Sequence, residues 1–227
     1  MNEIIELVEA LGEYTHDPLK FVYFAFPWGE PGPLEKMNGP EEWQKDILKD
    51  IRDGVKIKDN VVREAVASGH GIGKSTLVAW LILWAISTHE NTRGVVTANT
   101  ETQLRTKTWP ELIKWYNLFI GRPLFTATAT AIFANEPGKE KNWRIDAIPW
   151  SDNNTEAFAG LHNQGNRILV LFDEASAISN QIWEVAEGAM TDKDTEIIWC
   201  AFGNPTRNTG RFYDCFLKFR SLWNKKQ

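Results

Sequence analysis

The stretch VASGHGIGKSTLVAW, residues 66–80, constrains this chain more than any other. A Gly-rich turn ending in Gly-Lys-Ser sits between an apolar run, VVREAVAS, and a long apolar helical run, GKSTLVAWLILWAISTH. Strand, turn and helix in that order build a phosphate-binding loop, in which successive backbone N–H groups face inward at the positive end of a helix. Gly69, Gly71 and Gly73 supply the backbone freedom and leave room for phosphate oxygens. Ser68 stands where such loops usually open with glycine, and a small, turn-tolerant residue costs little there. The expected nucleotide-binding residues are therefore Ser68, Gly69, His70, Gly71, Ile72, Gly73, Lys74, Ser75 and Thr76. Lys74 is placed on the β/γ-phosphates, where it also serves catalysis, and the Ser75 hydroxyl on Mg2+.

Around the loop the pattern alternates. RGVVTA (93–98) reads as a second strand, and TETQLRTKTWPELIKWYNLF (100–119) as a helix broken near Pro110. Residues 127–134 and 143–149 read as strands, a hairpin around the turn-rich NEPGKEK. RILVLFDE (167–174) is continuously apolar up to its acids, as a strand covered on both faces should be. A helix at 180–190, a strand at 195–203 and a helix at 210–220 follow. This order implies an α/β fold, a mostly parallel sheet covered by helices on both faces. Upstream, residues 1–20 read as an amphipathic helix ending near Asp17-Pro18. Residues 21–40 read as a packed, extended aromatic arm, with two uses open: covering an adenine pocket or sealing the sheet edge. PEEWQKDILKDIRDG reads as a helix with Trp43, Ile47, Leu48 and Ile51 on one face and Gly54 as its stop. The expected units are 1–60, an N-terminal helical region with the arm; 61–210, the nucleotide-binding core; and 211–227, a C-terminal helix and linker.

Three further sites gain meaning beside the loop. The strand ending in Asp173-Glu174 delivers two carboxylates to the carboxyl edge of the sheet, where ligands collect. Asp173 is placed to hold hydrated Mg2+, and Glu174 to polarise the water attacking a γ-phosphate. That chemistry belongs to P-loop NTPases of the RecA-like type, which use a glutamate adjacent to the metal-site aspartate. Gln44 is a candidate for the adenine edge. Asn204, in the turn Gly203-Asn204-Pro205 after the next strand, is a candidate sensor of hydrolysis that couples it to movement.

Composition excludes some classes. A net charge of −5 argues against a dedicated DNA-binding module, although the tail from Arg207 onward is basic. Cys200 and Cys215 provide no disulfide framework and read as buried free thiols. The most apolar run, 77–86, is far shorter than the roughly 20 residues a bilayer needs. It reads as a buried helix, and the protein as intracellular with no membrane partner.

Taken together, SGHGIGKST, LFDEAS, FGNPT and the upstream WQ, extended by EAFAGLH and IWEVAEGAM, resemble the N-terminal ATPase domain of the large terminase subunit of tailed bacteriophages and prophages. The resemblance covers about three quarters of the chain. It implies an ATP- and Mg2+-dependent motor in the host cytoplasm that moves double-stranded DNA into a procapsid through its portal. It further implies a small terminase subunit as partner and a pentameric ring when assembled, with a monomer in isolation. Two departures matter. His70 and Gly71 occupy a stretch where many terminases carry an arginine, and Phe158-Ala159-Gly160 stands where relatives often have Leu-Arg-Gly. Arg167, Arg144 and Arg105 are then the candidates for the missing cation, Arg167 first. The family's C-terminal nuclease has no room after residue 205, so the chain reads as a truncated piece and DNA cleavage is not assigned to it. Two other readings stay open: a helicase-type translocase, and a nucleotide-dependent binding module that does not hydrolyse.

Overall fold

Helices lead into the sheet. The computed structural model describes residues 2–69, 71–98, 100–151 and 155–226 and opens with α1 (Asn2–Gly12). The Asp17 carboxylate caps α2 (Pro18–Ala25) by accepting from the Lys20 N–H, with Pro18 in the first turn, where no N–H is required. This corrects two expectations. The first helix stops at Gly12, well before Asp17, and the supposed extended arm is helical in its first half. Helix α3 (Glu42–Val55) starts with a reciprocal capping box between Glu41 and Gln44, buries Ile47, Leu48 and Ile51, and runs one residue past Gly54.

From β1 (Val61–Ala67) the chain alternates as expected. Helix α4 (Lys74–Thr88) leads to β2 (Arg93–Thr97), and α5 (Glu101–Gln103) continues through a π-helical turn, Leu104–Thr108, into α6 (Trp109–Leu118). Strands β3 (Phe125–Ala127), β4 (Ala131–Ala134) and β5 (Arg144–Ala147) follow, then α7 (Glu156–Ala159) and β6 (Arg167–Asp173). The chain ends with α8 (Asn180–Ala189), β7 (Glu196–Gly203), α9 (Arg211–Phe216) and β8 (Asn224–Lys226).

Among the described residues these strands form one sheet in the order β3-β4-β5-β2-β6-β7-β1-β8. Every pairing from β5 to β8 is parallel; β4 runs antiparallel to both β5 and β3. The hairpin expected around 135–141 joins β4 to β5, and the run 127–134 itself turns back at 128–130. The C-terminal segment differs from its expectation. Its helix is six residues long, and the chain finishes as a strand alongside β1.

Side chains alternate across the sheet with the period of two that a strand imposes. On β6, Leu169 and Leu171 face the cluster formed with α2, α3, α4 and α6, while Ile168, Val170 and Phe172 face α7, α8 and α9. Helix α4 is apolar all round, and residues 77–86 are each at most 1% exposed, so it is a core helix. Aromatic packing accounts for much of the tryptophan content. Trp28, Trp80 and Trp115 meet with Phe26 on one face, Trp80 and Trp115 at 5.0 Å. Trp183, Trp199 and Trp223 meet with Phe172 on the other, Trp199 and Trp223 at 4.9 Å. Phe21, Phe24, Phe26 and Trp28 thus serve the core beneath α4 and α6, while Tyr23 is exposed. Cys200 and Cys215 are buried free thiols, as expected, and burial pushes Cys215 up to about 12.

The helical run after β2 is not broken at Pro110. Proline lacks the N–H for an i→i−4 bond and its ring crowds the carbonyl of Thr106. The chain widens just before it: the Trp109 N–H reaches the Leu104 carbonyl, five residues back, and α6 then begins with Pro110 in its first turn.

Candidate functional site

The strand register brings three connections to one height at the carboxyl edge of the sheet. Ala67 pairs with Gly203, and Asp173 with Phe202, so the ends of β1, β7 and β6 lie side by side. β7 separates the loop strand from the acid strand, and Asn204 follows it directly. The Ser68 N–H donates to the Gly203 carbonyl at 3.0 Å, which fixes the start of the loop to the end of β7.

The loop turns through Gly71 at φ 76° and Gly73 at φ 90°, left-handed values that favour glycine. Side-chain atoms added at Gly69 or Gly71 would meet nothing within 4 Å, so the backbone there borders open space. Lys74 opens α4, is 7% exposed, and bridges the site. Its Nζ donates to the Ser68 carbonyl at 3.3 Å, the Gly69 carbonyl at 2.7 Å and Asn204 Oδ1 at 2.9 Å. Burial lowers the Lys74 pKa, and Glu174 and Asp173 oppose that. Ser75 lines the open cleft. Thr76 does not face it freely, because its hydroxyl donates to Glu111 Oε1 at 2.8 Å. Ile72 is exposed on the loop. His70 lies outside the described residues.

Asp173 is 3% exposed. Its Oδ2 accepts from the Thr108 hydroxyl at 2.6 Å and its Oδ1 from the Glu174 N–H at 3.1 Å. Burial raises its pKa, which the Thr108 bond partly offsets. Glu174 adopts φ 54°, ψ 45°, a left-handed conformation uncommon for a residue with a side chain, and lines the cleft. Such strain persists where the surrounding structure fixes it and clusters at functional positions.

The cleft has a volume of about 360 Å³ and is lined by Gly71, Gly73, Lys74, Ser75, Thr76 and Glu174, with Gln103, Lys107 and Glu111 opposite them. The last three are four residues apart, one face of the helical run after β2. Sequence reasoning missed this wall. Glu111 is held low despite burial by hydrogen bonds from Thr76, Trp115 and Lys114. Nothing in the pattern of residues 100–119 marks Thr108 as the partner of Asp173; only the π-helical turn brings its hydroxyl there.

Two expectations are corrected by position. Gln44 is 3% exposed and both ends of its amide bond the chain: Oε1 accepts from the Glu41 N–H at 2.8 Å and Nε2 donates to the Gly73 carbonyl at 3.1 Å. It braces the loop from α3, and that geometry does not suit an adenine contact. Two of the three arginine candidates lie far from the cleft. Arg167 is the first residue of β6, six steps or roughly 20 Å from Asp173. It is fully buried, bonded to Glu196, the Thr88 hydroxyl and the Thr15 carbonyl, with its guanidinium 4.3 Å from the Trp84 ring centre. Arg144 opens β5 at that same distant end and is paired with Asp146. Arg105 is nearer but pairs with Glu101 on its own helical turn. Phe158 of the 158–160 triplet packs against Phe172 in the core.

The residues present fit a magnesium-bound triphosphate. The Ser68 hydroxyl is buried without a hydrogen-bond partner among the described residues, and bare backbone at Gly69 and Gly71 borders open space beside it. Ser75 and Asp173 are hard oxygen donors of the kind Mg2+ takes. No helix among the described residues is long and apolar enough to cross a membrane.

No family model matches the chain. In sequence it is 30% identical over 155 residues, 66% of this chain and 30% of the relative, to the probable large terminase subunit of Enterobacteria phage P7. In structure it is similar to the HK97 bacteriophage large terminase, with a TM-score of 0.61 and 14% identity, covering 91% of this chain and 41% of that one. The large terminase of the thermophilic bacteriophage D6E gives 0.57 and 15%, covering 82% and 44%. The ATPase domain of the Thermus phage P74-26 large terminase gives 0.54 and 17%, covering 78% and 69%. The chain spans about 30% of the length of its curated relative and 69% of the isolated ATPase domain. The chain is thus similar in sequence to a bacteriophage large terminase subunit and has the fold of the ATPase domain of such subunits.

Proposed function

We propose that this chain binds and hydrolyses ATP at the carboxyl edge of its sheet and is the motor portion of a machine that moves double-stranded DNA into a procapsid. One observation carries the reading: Lys74 bridges the phosphate loop to Asn204 at 2.9 Å, one strand away from the Asp173–Glu174 pair. In this reading the amides from Gly69 to Lys74 hold the phosphates, and Ser75 and Asp173 hold Mg2+. When bound, the metal would supply charge neutralisation to the phosphates. Glu174 orients the attacking water and accepts its proton. Thr108 and the Glu174 N–H keep the Asp173 carboxylate in place. Gln44 fixes the Gly73 carbonyl so that the loop keeps its shape when the site empties.

Coupling follows from Lys74. Its ammonium has three acceptors, all from the chain, and a γ-phosphate oxygen competes for it. Asn204 therefore gains or loses its cation with the state of the nucleotide and passes that change into the segment leading to α9. A two-state element of this kind is what coupling requires. DNA contacts are to phosphates, since packaging must accept any sequence, so binding weakens steeply with salt. The assembled partners in this reading are the portal, a small terminase subunit and further copies of the chain in a pentameric ring, within the host cytoplasm.

The test compares the parent chain with Glu174→Gln for binding of a fluorescent ATP analogue and for phosphate release in the presence of Mg2+ and duplex DNA. Retained binding with release lowered at least a hundredfold supports the assignment. Release at the parent rate removes Glu174 from its role.

A further inference from the structure

We infer that Lys107 is the cation that reaches the γ-phosphate of a bound nucleoside triphosphate, taking the part that an arginine within the loop would otherwise play. This rests on the nucleotide reading above and adds a residue to that site. The loop supplies no arginine: residues 68–76 contain one basic side chain of permanent charge, Lys74. The three arginines that sequence suggested are all engaged elsewhere, two of them at the far end of the sheet. Yet transfer of a γ-phosphoryl group spreads charge over its outer oxygens, and a second cation besides the loop lysine stabilises it.

Lys107 stands where that charge is needed. It lines the same cleft as Gly71, Gly73, Lys74, Ser75 and Glu174. Its neighbours in the wall are already matched: Lys114 pairs with Glu111, Arg105 with Glu101, and Glu111 also holds Thr76. Among the described residues Lys107 alone of these cations has no carboxylate, carbonyl or ring partner, so its charge is free for a ligand. The next residue fixes its backbone. Thr108 is 1% exposed and its hydroxyl is bonded to Asp173, which ties the Lys107 main chain directly to the metal-site carboxylate.

The π-helical turn explains why sequence alone hides this. The extra residue in the turn is what lets Thr108 reach β6 while Lys107 stays on the cleft face with Gln103 and Glu111. π-Turns of this kind occur frequently at functional sites. A compact ammonium on a flexible stem can follow a phosphate as its geometry changes.

The experiment measures dissociation constants of Mg2+-ADP and of a non-hydrolysable Mg2+-ATP analogue for the parent, Lys107→Met and Lys107→Arg by calorimetry. A contact confined to the γ-phosphate predicts that Lys107→Met weakens the triphosphate analogue about tenfold. That is the lower end for a charge-assisted hydrogen bond, because the side chain is exposed. ADP should change less than twofold, and Lys107→Arg should restore most of the loss. Equal weakening of both nucleotides, or no weakening of either, overturns the inference while leaving the nucleotide site intact. Failure of the parent itself to bind either nucleotide defeats the reading of the site and this inference with it.

Discussion

Glu64 offers a sharp test of the structure beside the loop. It lies in β1, four residues before Ser68, and is fully buried. Its Oε1 accepts from Asn224 of β8 at 2.6 Å, and its Oε2 has no partner among the described residues. Burial pushes its pKa up from an ordinary 4.5 to about 8; Asn224 opposes this, Asp50 adds to it and Lys226 opposes it. Between those two values the folded chain holds a proton that the unfolded chain has released. Stability from this group is therefore complete below pH 4.5, declines as pH rises through the interval, and is fully lost above pH 8. At 1.36 kcal/mol per unit, the loss is about 5 kcal/mol. Glu64→Gln keeps the shape and the acceptor for Asn224 but cannot ionise. Urea unfolding of both proteins should give matching free energies at pH 4.5 and a variant more stable by a few kcal/mol at pH 8.5. A difference that does not change with pH would refute the reasoning, because the cost would then not come from ionising a buried carboxyl.

Other perturbations separate structural from functional roles. Arg167→Met should lower the unfolding free energy by about 3–5 kcal/mol, since it leaves Glu196 without its buried partner. Nucleotide affinity should stay within about twofold; lost affinity in a protein of unchanged stability would return Arg167 to the site. Thr108→Val removes the hydroxyl on Asp173 and should raise the Asp173 pKa, read by carboxyl carbon NMR in the metal-free chain. The same variant should need more Mg2+ for nucleotide binding, with Thr108→Ser restoring both properties. Gly73→Ala sets a side chain at φ 90° and 3.0 Å from Gln44 Nε2, and should cost about 1–2 kcal/mol in thermal unfolding. A neutral result would mean that Gln44 does not brace the loop.

What could be read from the chain follows from what short sequences encode. β1, the loop and α4 form one local unit whose apolar runs, glycines and lysine all specify the same backbone, and β6 ends in its acids because a parallel strand presents its carboxyl end to ligands. The hairpin of β4 and β5 was equally local. Gln44, Arg167 and Thr108 show the limit. Each was visible as a polar residue on a helix or strand, but its role is set by a partner 29 to 65 residues away, and residue type carries no record of such partners. β8 escaped notice for a related reason: Asn224–Lys226 has no apolar alternation, and its strand geometry comes from pairing with β1. The arginine candidates came from resemblance, and position in the sheet, which residue type does not record, sets Arg167 and Arg144 at the end away from Asp173.

The central claim is that one magnesium-bound triphosphate sits between the amides of residues 69–74 and the acids at 173–174. A crystal structure of the chain grown with Mg2+ and a non-hydrolysable ATP analogue addresses it directly. The account predicts phosphate density within hydrogen-bond distance of Lys74 Nζ and metal density on the Ser75 hydroxyl, facing Asp173. Nucleotide bound elsewhere, with Lys74 still held on Gly69 and Asn204, would contradict it.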